Sequence, residues 1–92
     1  MNLRYAPEAK EIIRGLPPET KQAIRLLLDG LCEAPHNGRP LQKELTGFYS
    51  LRYKRYRIIY KPLADKKEIR IYAVGPRKEI YEAFTKSLAN RH

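Results

Sequence analysis

Two short alternating runs, Tyr49 to Tyr53 and Tyr56 to Tyr60, face each other across Lys54 and Arg55 within the stretch from Gly47 to Pro62. Strand side chains alternate between faces and a hairpin needs only a two-residue bend, so the spacing predicts two antiparallel strands. With Lys54 and Arg55 as the bend, Tyr53 pairs with Tyr56, Arg52 with Arg57, Leu51 with Ile58 and Ser50 with Ile59. One face then carries Tyr49, Leu51, Tyr53, Tyr56, Ile58 and Tyr60, an apolar surface suited to packing on helices. The other carries Ser50, Arg52 and Arg57. Like charges directly opposite each other weaken a strand pair, so an anionic partner is expected on that face. Lys-Arg lacks the Gly or Asn that a type I′ turn prefers.

The rest of the chain reads around this hairpin. Asn2 to Tyr5 is a short first strand, and Pro7 suits the first turn of a helix over Glu8 to Leu16, with Ala9, Ile12, Ile13 and Leu16 on one side. Pro17 and Pro18 break that helix. A second begins at Glu19 and Thr20, carries Ile24, Leu27, Leu28 and Leu31 inward with Lys21 and Arg25 outward, and ends near Ala34 and Pro35. His36 to Thr46 is rich in turn formers and reads as a loop anchored by Leu41 and Leu45. After a polar turn over Ala64 to Lys67, Glu68 to Val74 is a last strand with Ile69, Ile71 and Ala73 sharing a face, stopped by Gly75 and Pro76. Glu79 to Ala89 closes the chain as a helix with Ile80, Phe84 and Leu88 inward. The order βααβββα predicts an α+β fold: a small, mostly antiparallel sheet covered on one face by an N-terminal helical hairpin, with a short C-terminal helix.

Composition narrows the partners. At 92 residues the expectation is one domain over 1–92, and the formal net charge of +9 with a pI near 9.9 implies an anionic partner: nucleic acid, an acidic protein segment or a membrane surface. No apolar run is long enough to cross a bilayer and the N-terminal residues lack a signal peptide's apolar core, so a cytoplasmic location is expected. Cys32 is the only cysteine and, with Leu28 and Leu31 nearby in sequence, reads as a buried, inert thiol. His36 and His92 have no partners at metal-ligand spacing, so no metal and no cofactor is expected.

Leu45-Thr46-Gly47, Leu51-Arg52, Tyr56-Arg57-Ile58-Ile59-Tyr60 and Val74-Gly75-Pro76-Arg77-Lys78-Glu79-Ile80-Tyr81, in that order, resemble the RelE/ParE superfamily of bacterial and archaeal toxins. The resemblance covers nearly the whole chain, and the set Arg57, Arg77 and Tyr81 is more similar to the RelE branch, which cleaves mRNA in the ribosomal A site, than to the ParE branch, which inhibits DNA gyrase. It implies a cognate antitoxin, acidic and folding on binding, that joins an otherwise monomeric toxin in a hetero-oligomer, with the ribosome and mRNA as the other partners. Arg57 matches the arginine of the family's Tyr-Arg element, Arg77 the arginine after Val-Gly, and Tyr81 the tyrosine that begins the C-terminal helix. The basic pair found on the preceding strand in one branch falls here at Ser50 and Arg52, so only one cation of that pair remains, and Lys54 at the bend would compensate in part.

Metal-independent RNA cleavage of this kind proceeds by attack of the ribose 2′-hydroxyl on the adjacent phosphorus. Arginine suits the charge that grows on phosphorus, since its planar fork meets two oxygens, and is a poor base because it stays protonated. The resemblance therefore implies Arg57 and Arg52 for phosphate binding and Arg77 for the leaving-group side. Ser50, Lys54 and Arg55 would add substrate contacts. Tyr81 either orients or deprotonates the 2′-hydroxyl or stacks on a base; orientation is preferred, because a free phenol is protonated at neutral pH. Two other readings stay open: a ParE-like gyrase inhibitor, and a basic RNA-binding domain without catalysis.

Overall fold

The computed structural model describes residues 1–76 and 79–89; Arg77, one of the expected site residues, lies outside them, as does His92. The strands are β1 (Asn2–Tyr5), β2 (Arg39–Pro40), β3 (Tyr49–Tyr53), β4 (Tyr56–Leu63) and β5 (Glu68–Pro76); the helices are α1 (Pro7–Arg14), α2 (Pro18–Leu31) and α3 (Glu79–Ala89), with short 3-10 turns at Lys43–Leu45 and Ala64–Lys66. One sheet runs β1-β5-β4-β3-β2, with β1 parallel to β5 and the other pairs antiparallel. The α+β architecture is the expected one. The element β2 is an addition: Arg39 and Pro40, within the stretch read as loop, pair with Ser50 and Tyr49.

The β3–β4 hairpin has the register that its alternation predicts, from Tyr53 opposite Tyr56 to Tyr49 opposite Tyr60. Lys54 makes the bend by adopting a left-handed φ of 52°, and Arg55 does not share it. The face with Ile58 and Tyr60 packs under α1 and α2, where Ala9, Ile13, Ile24, Leu28 and Leu31 meet Ile69, Ile71 and Val74. Burial of each such branched side chain contributes about 1.5–3 kcal/mol, so this layer carries most of the fold's stability.

Helical spacing places four residues of each N-terminal helix inward, and the sheet is too narrow to cover them all. Ile12 is 48% exposed and Leu27 37% exposed, both at the rim of an apolar stripe whose centre is buried. Cys32, at the end of α2, is half-buried rather than enclosed. The helix ends follow the prolines: Pro7 and Pro18 occupy first-turn positions, where a missing N–H costs nothing.

The second face is also covered. On it Phe48, Ile59, Leu45 and Phe84 form a second core, with Leu41, Tyr72, Ala73, Ile80, Tyr81 and Leu88 around it, so α3 packs across the sheet opposite the helical hairpin. A bulge makes this possible. Ile59 pairs with Ala73 but Tyr60 pairs with Ile71, leaving Tyr72 as an extra residue on β5. Tyr72 and Ala73 therefore both serve the α3 side, and Val74 rather than Ala73 joins Ile69 and Ile71. Nor does β5 stop at Gly75: it runs to Pro76. Glycine is needed there for another reason, since a Cβ at Gly75 would lie 2.9 Å from Ile80 Cδ1 and 3.4 Å from Ile80 Cβ. The first turn of α3 rests directly on the strand.

Candidate functional site

The sheet face that carries α3 is where the arginines of the hairpin stand. Arg52 and Arg57 are directly opposite each other, and Gly75 is the next residue across on β5. Both guanidiniums bend back to the tip of the hairpin: Arg52 Nε donates to the Lys54 carbonyl at 3.2 Å and Arg57 Nη1 to the same oxygen at 3.5 Å, with the Tyr56 carbonyl at 3.4 Å from Arg57 Nη1. A shared acceptor lowers the cost of holding two like charges side by side. The geometric origin is the bend itself, because the left-handed φ of Lys54 belongs to the same residue whose carbonyl receives both donors.

Ser50 lies two residues from Arg52 along β3, hence about 7 Å away on the same face. It is only 6% exposed. Its Oγ is 2.7 Å from the Tyr81 hydroxyl, and either oxygen can donate. The expectation that Ser50 contacts substrate directly is therefore not what the geometry favours: the serine is under α3 and ties Tyr81 to the sheet. Tyr81 in turn accepts from Thr85 Oγ1 through its backbone carbonyl at 2.8 Å, an ordinary back-bond within the helix.

Lys54 and Arg55 are both exposed at the bend. The Lys54 ammonium sits 5.5 Å from the centroid of the Tyr53 ring, and Tyr53 packs on the helical-hairpin side, so this lysine offers the arginines its carbonyl rather than its charge. Arg55 lines a shallow groove of about 410 Å³ with Tyr56, Pro76 and Glu79 at the start of α3. Among the described residues, the structure thus brings Arg52, Arg57, Ser50 and Tyr81 onto one face and leaves Lys54 and Arg55 at its rim.

A residue that sequence reasoning missed stands beside this set. Arg39 is the cross-strand partner of Ser50. It lines a groove of about 400 Å³ together with Pro40, Leu41, Gln42, Leu45 and Tyr81. A two-residue strand containing proline is too short for any alternation to show, and the only signal was a lone arginine in a turn-rich segment. Its place is fixed from below. The buried Tyr60 hydroxyl accepts from Gly38 N–H at 2.9 Å and donates to the Pro35 carbonyl at 3.0 Å, pinning the backbone just before Arg39. Burial raises the Tyr60 phenol above its ordinary 10.0, the Gly38 N–H opposes that by favouring the anion, and Tyr49 alongside adds to the rise.

The opposite end of the same face is also cationic but carries its own carboxylate. Arg70 donates twice to Glu68 Oε2, at 3.1 and 2.7 Å, and Arg4 lies 4.0 Å from Glu68 Oε1. An apolar groove of about 280 Å³ between α1 and α3, lined by Ala9, Ile12, Val74, Ile80 and Phe84 among others, has no cation among its described lining residues. The hairpin end is accordingly the better anion site. No cluster of His, Cys, Asp and Glu suited to a metal occurs among the described residues, and no described helix is long and apolar enough to cross a membrane.

A five-stranded sheet with α3 across one face and a helical hairpin on the other is a fold shared with solved toxin structures. The family model for the ParE toxin of type II toxin-antitoxin systems matches residues 3–81, and the chain belongs to that family, within the RelE/ParE superfamily. It is a toxin of a type II toxin-antitoxin system. Among solved structures it is similar to the RelBE2 toxin-antitoxin complex of Mycobacterium tuberculosis, with 28% identity, a TM-score of 0.74 and coverage of 83% of this chain and 96% of that one. The isolated E. coli RelE toxin matches at 20% identity, TM-score 0.75 and coverage of 95% and 97%. A YoeB/ParE toxin from Agrobacterium tumefaciens matches at 15% identity, TM-score 0.75 and coverage of 84% and 99%. The last two likenesses concern the fold alone. No curated protein sequence matches the chain.

Proposed function

We propose that this toxin is a ribosome-dependent, metal-independent mRNA endoribonuclease of the RelE kind, acting in the cytoplasm on the codon in the A site. The observation that carries the reading is the convergence of Arg52 and Arg57 on one carbonyl, on the face where Ser50 holds Tyr81. A phosphate presents charged acceptors where the free protein has only a neutral oxygen, so the two guanidiniums would exchange the Lys54 carbonyl for phosphate oxygens with a gain.

The 2′-hydroxyl oxygen attacks phosphorus and loses its proton; the bond to the 5′ oxygen breaks and that oxygen takes a proton. The products are a 2′,3′-cyclic phosphate and a free 5′-hydroxyl. Arg57, half-buried and close to α3, is the principal stabiliser of the phosphorane charge, with Arg52 on its flank. Removing one such donor costs roughly 100-fold or more in rate. Tyr81, fixed by Ser50, orients the 2′-hydroxyl, and Arg77 serves the leaving oxygen. A cognate antitoxin, acidic and ordered on binding, neutralises the toxin in a hetero-oligomer, in keeping with the +9 charge and with the toxin-antitoxin complex of M. tuberculosis.

The ParE family model favours a second reading, inhibition of DNA gyrase. Primer extension on mRNA in a purified translation reaction, with and without ribosomes, separates the two. Cuts at A-site codons that require ribosomes and vanish in Arg57→Ala and Arg77→Ala are expected. Intact mRNA from a wild-type protein that still arrests growth would overturn RNA cleavage and point to gyrase.

A further inference from the structure

The groove beside Tyr81 has the makings of a nucleotide pocket, and its position relative to the arginine pair gives it a role. Arg39 is opposite Ser50, and Ser50 is two residues from Arg52, so Arg39 and the Arg52–Arg57 pair flank the Ser50–Tyr81 contact on successive strands of one face. Three guanidiniums therefore line a path from the tip of the hairpin to the sheet edge, with the Tyr81 hydroxyl between them. Arg39 is exposed. The wall next to it is apolar, from Pro40, Leu41 and Leu45, and Gln42 supplies an amide that can both donate and accept. A cation for phosphate, an apolar surface and aromatic ring for a base face, and an amide for a base edge are what binding of one unstacked nucleotide requires.

We propose that this groove is a subsite for the nucleotide adjacent to the cleaved bond, in which Arg39 binds that nucleotide's phosphate and Gln42 reads its base edge. The inference rests on the RNA-cleavage reading for the meaning of "cleaved bond", and on geometry alone for the site. The Gly38–Tyr60 hydrogen bond already sets the backbone that carries Arg39.

The test uses a trinucleotide with 2′-O-methyl riboses, which lacks the attacking hydroxyl and cannot be cleaved. Its binding to the purified toxin is followed by NMR titration at several salt concentrations, for wild type, Arg39→Ala, Gln42→Ala and Arg57→Ala. Arg39→Ala is expected to weaken binding roughly threefold to fivefold, as an exposed ion pair does, and to make the plot of log K against log salt shallower by about 0.7. Gln42→Ala is expected to flatten the preference among trinucleotides that differ in one base. Wild-type affinity and salt slope in Arg39→Ala, with Arg57→Ala weakened, would overturn the subsite while leaving the cleavage reading intact. A shallower slope in Arg39→Ala from a protein that cuts no mRNA on ribosomes would establish the subsite as an RNA-binding site and sink the cleavage reading instead.

Discussion

Replacing Gly38 by alanine should be among the most damaging single changes in this toxin, although Gly38 lies in a surface segment. An alanine Cβ there would stand 2.6 Å from the Tyr60 hydroxyl, 2.8 Å from the Ser50 carbonyl oxygen and 2.9 Å from Tyr60 Cε1. Favourable carbon contacts lie near 3.5–4.0 Å, so all three are deep in the repulsive range. Neither obstacle yields easily: Tyr60 is fully buried in the main core, and the Ser50 carbonyl belongs to β3. The relief open to the chain is to lift residues 38–40 off the sheet, which breaks the Gly38 N–H bond to the Tyr60 hydroxyl. Overpacking costs about 1–3 kcal/mol and the lost hydrogen bond about 1 more. A total near 3 kcal/mol is a large share of the roughly 5–15 kcal/mol that holds a domain of this kind folded. With a urea slope of about 1.5 kcal/mol per molar, the unfolding midpoint should fall by about 2 M. Tyr60→Phe removes the oxygen of the closest contact, so in the double variant the two costs should sum to less than their separate values. A midpoint for Gly38→Ala within about 0.5 kcal/mol of wild type, or full additivity with Tyr60→Phe, would refute the reasoning.

The Ser50–Tyr81 contact should appear as coupling: Ser50→Ala and Tyr81→Phe each cost about 1 kcal/mol, and the double variant hardly more than either, with independent costs in a urea-melt cycle as the contrary result. At alkaline pH, burial holds the Tyr60 and Tyr5 phenols above their ordinary 10.0, so the folded state keeps these protons longer than the unfolded chain does. Stability from this source is complete below pH 10 and declines as pH rises through the raised values; urea melts should show the decline, less steep in Tyr60→Phe, and an unchanged slope in that variant would count against it.

The hairpin was legible because its signals agree: period-two alternation, matching apolar faces and a two-residue gap fix one register, and a slip of one residue would turn the core outward. The span of α3 was legible for a similar reason, its apolar positions recurring at helical spacing after Pro76. The bulge at Tyr72 was not, since Ile71, Tyr72 and Val74 are good strand residues and no glycine or proline between them marks the extra one. Misreading that strand misplaced Ala73 and made Gly75 look like a stop signal instead of the seat of α3. Ile12 and Leu27 escaped for a different reason: helical spacing reveals a stripe but not how wide a sheet will meet it. In the candidate site, Arg52 and Arg57 follow from the alternation alone. The burial of Ser50 and the company of Arg39 depend on tertiary contacts far apart in sequence, 31 residues in the case of Ser50 and Tyr81.

The extra residue on β5 bears on how this small protein divides its labour. A regular ladder would give each face of the strand equal numbers, yet one face must build the main core while the other must seat a helix on rings. Tyr72, inserted between those duties, stands 5.3 Å from the Phe48 ring and 5.8 Å from the Phe84 ring, and so widens the platform under α3 without taking anything from the layer beneath α1 and α2. The irregularity separates the layer that keeps the toxin folded from the face that carries the candidate site. Sequence change on the α3 side can alter Tyr81 and its surroundings while Ile58, Ile69 and Ile71 continue to hold the molecule together.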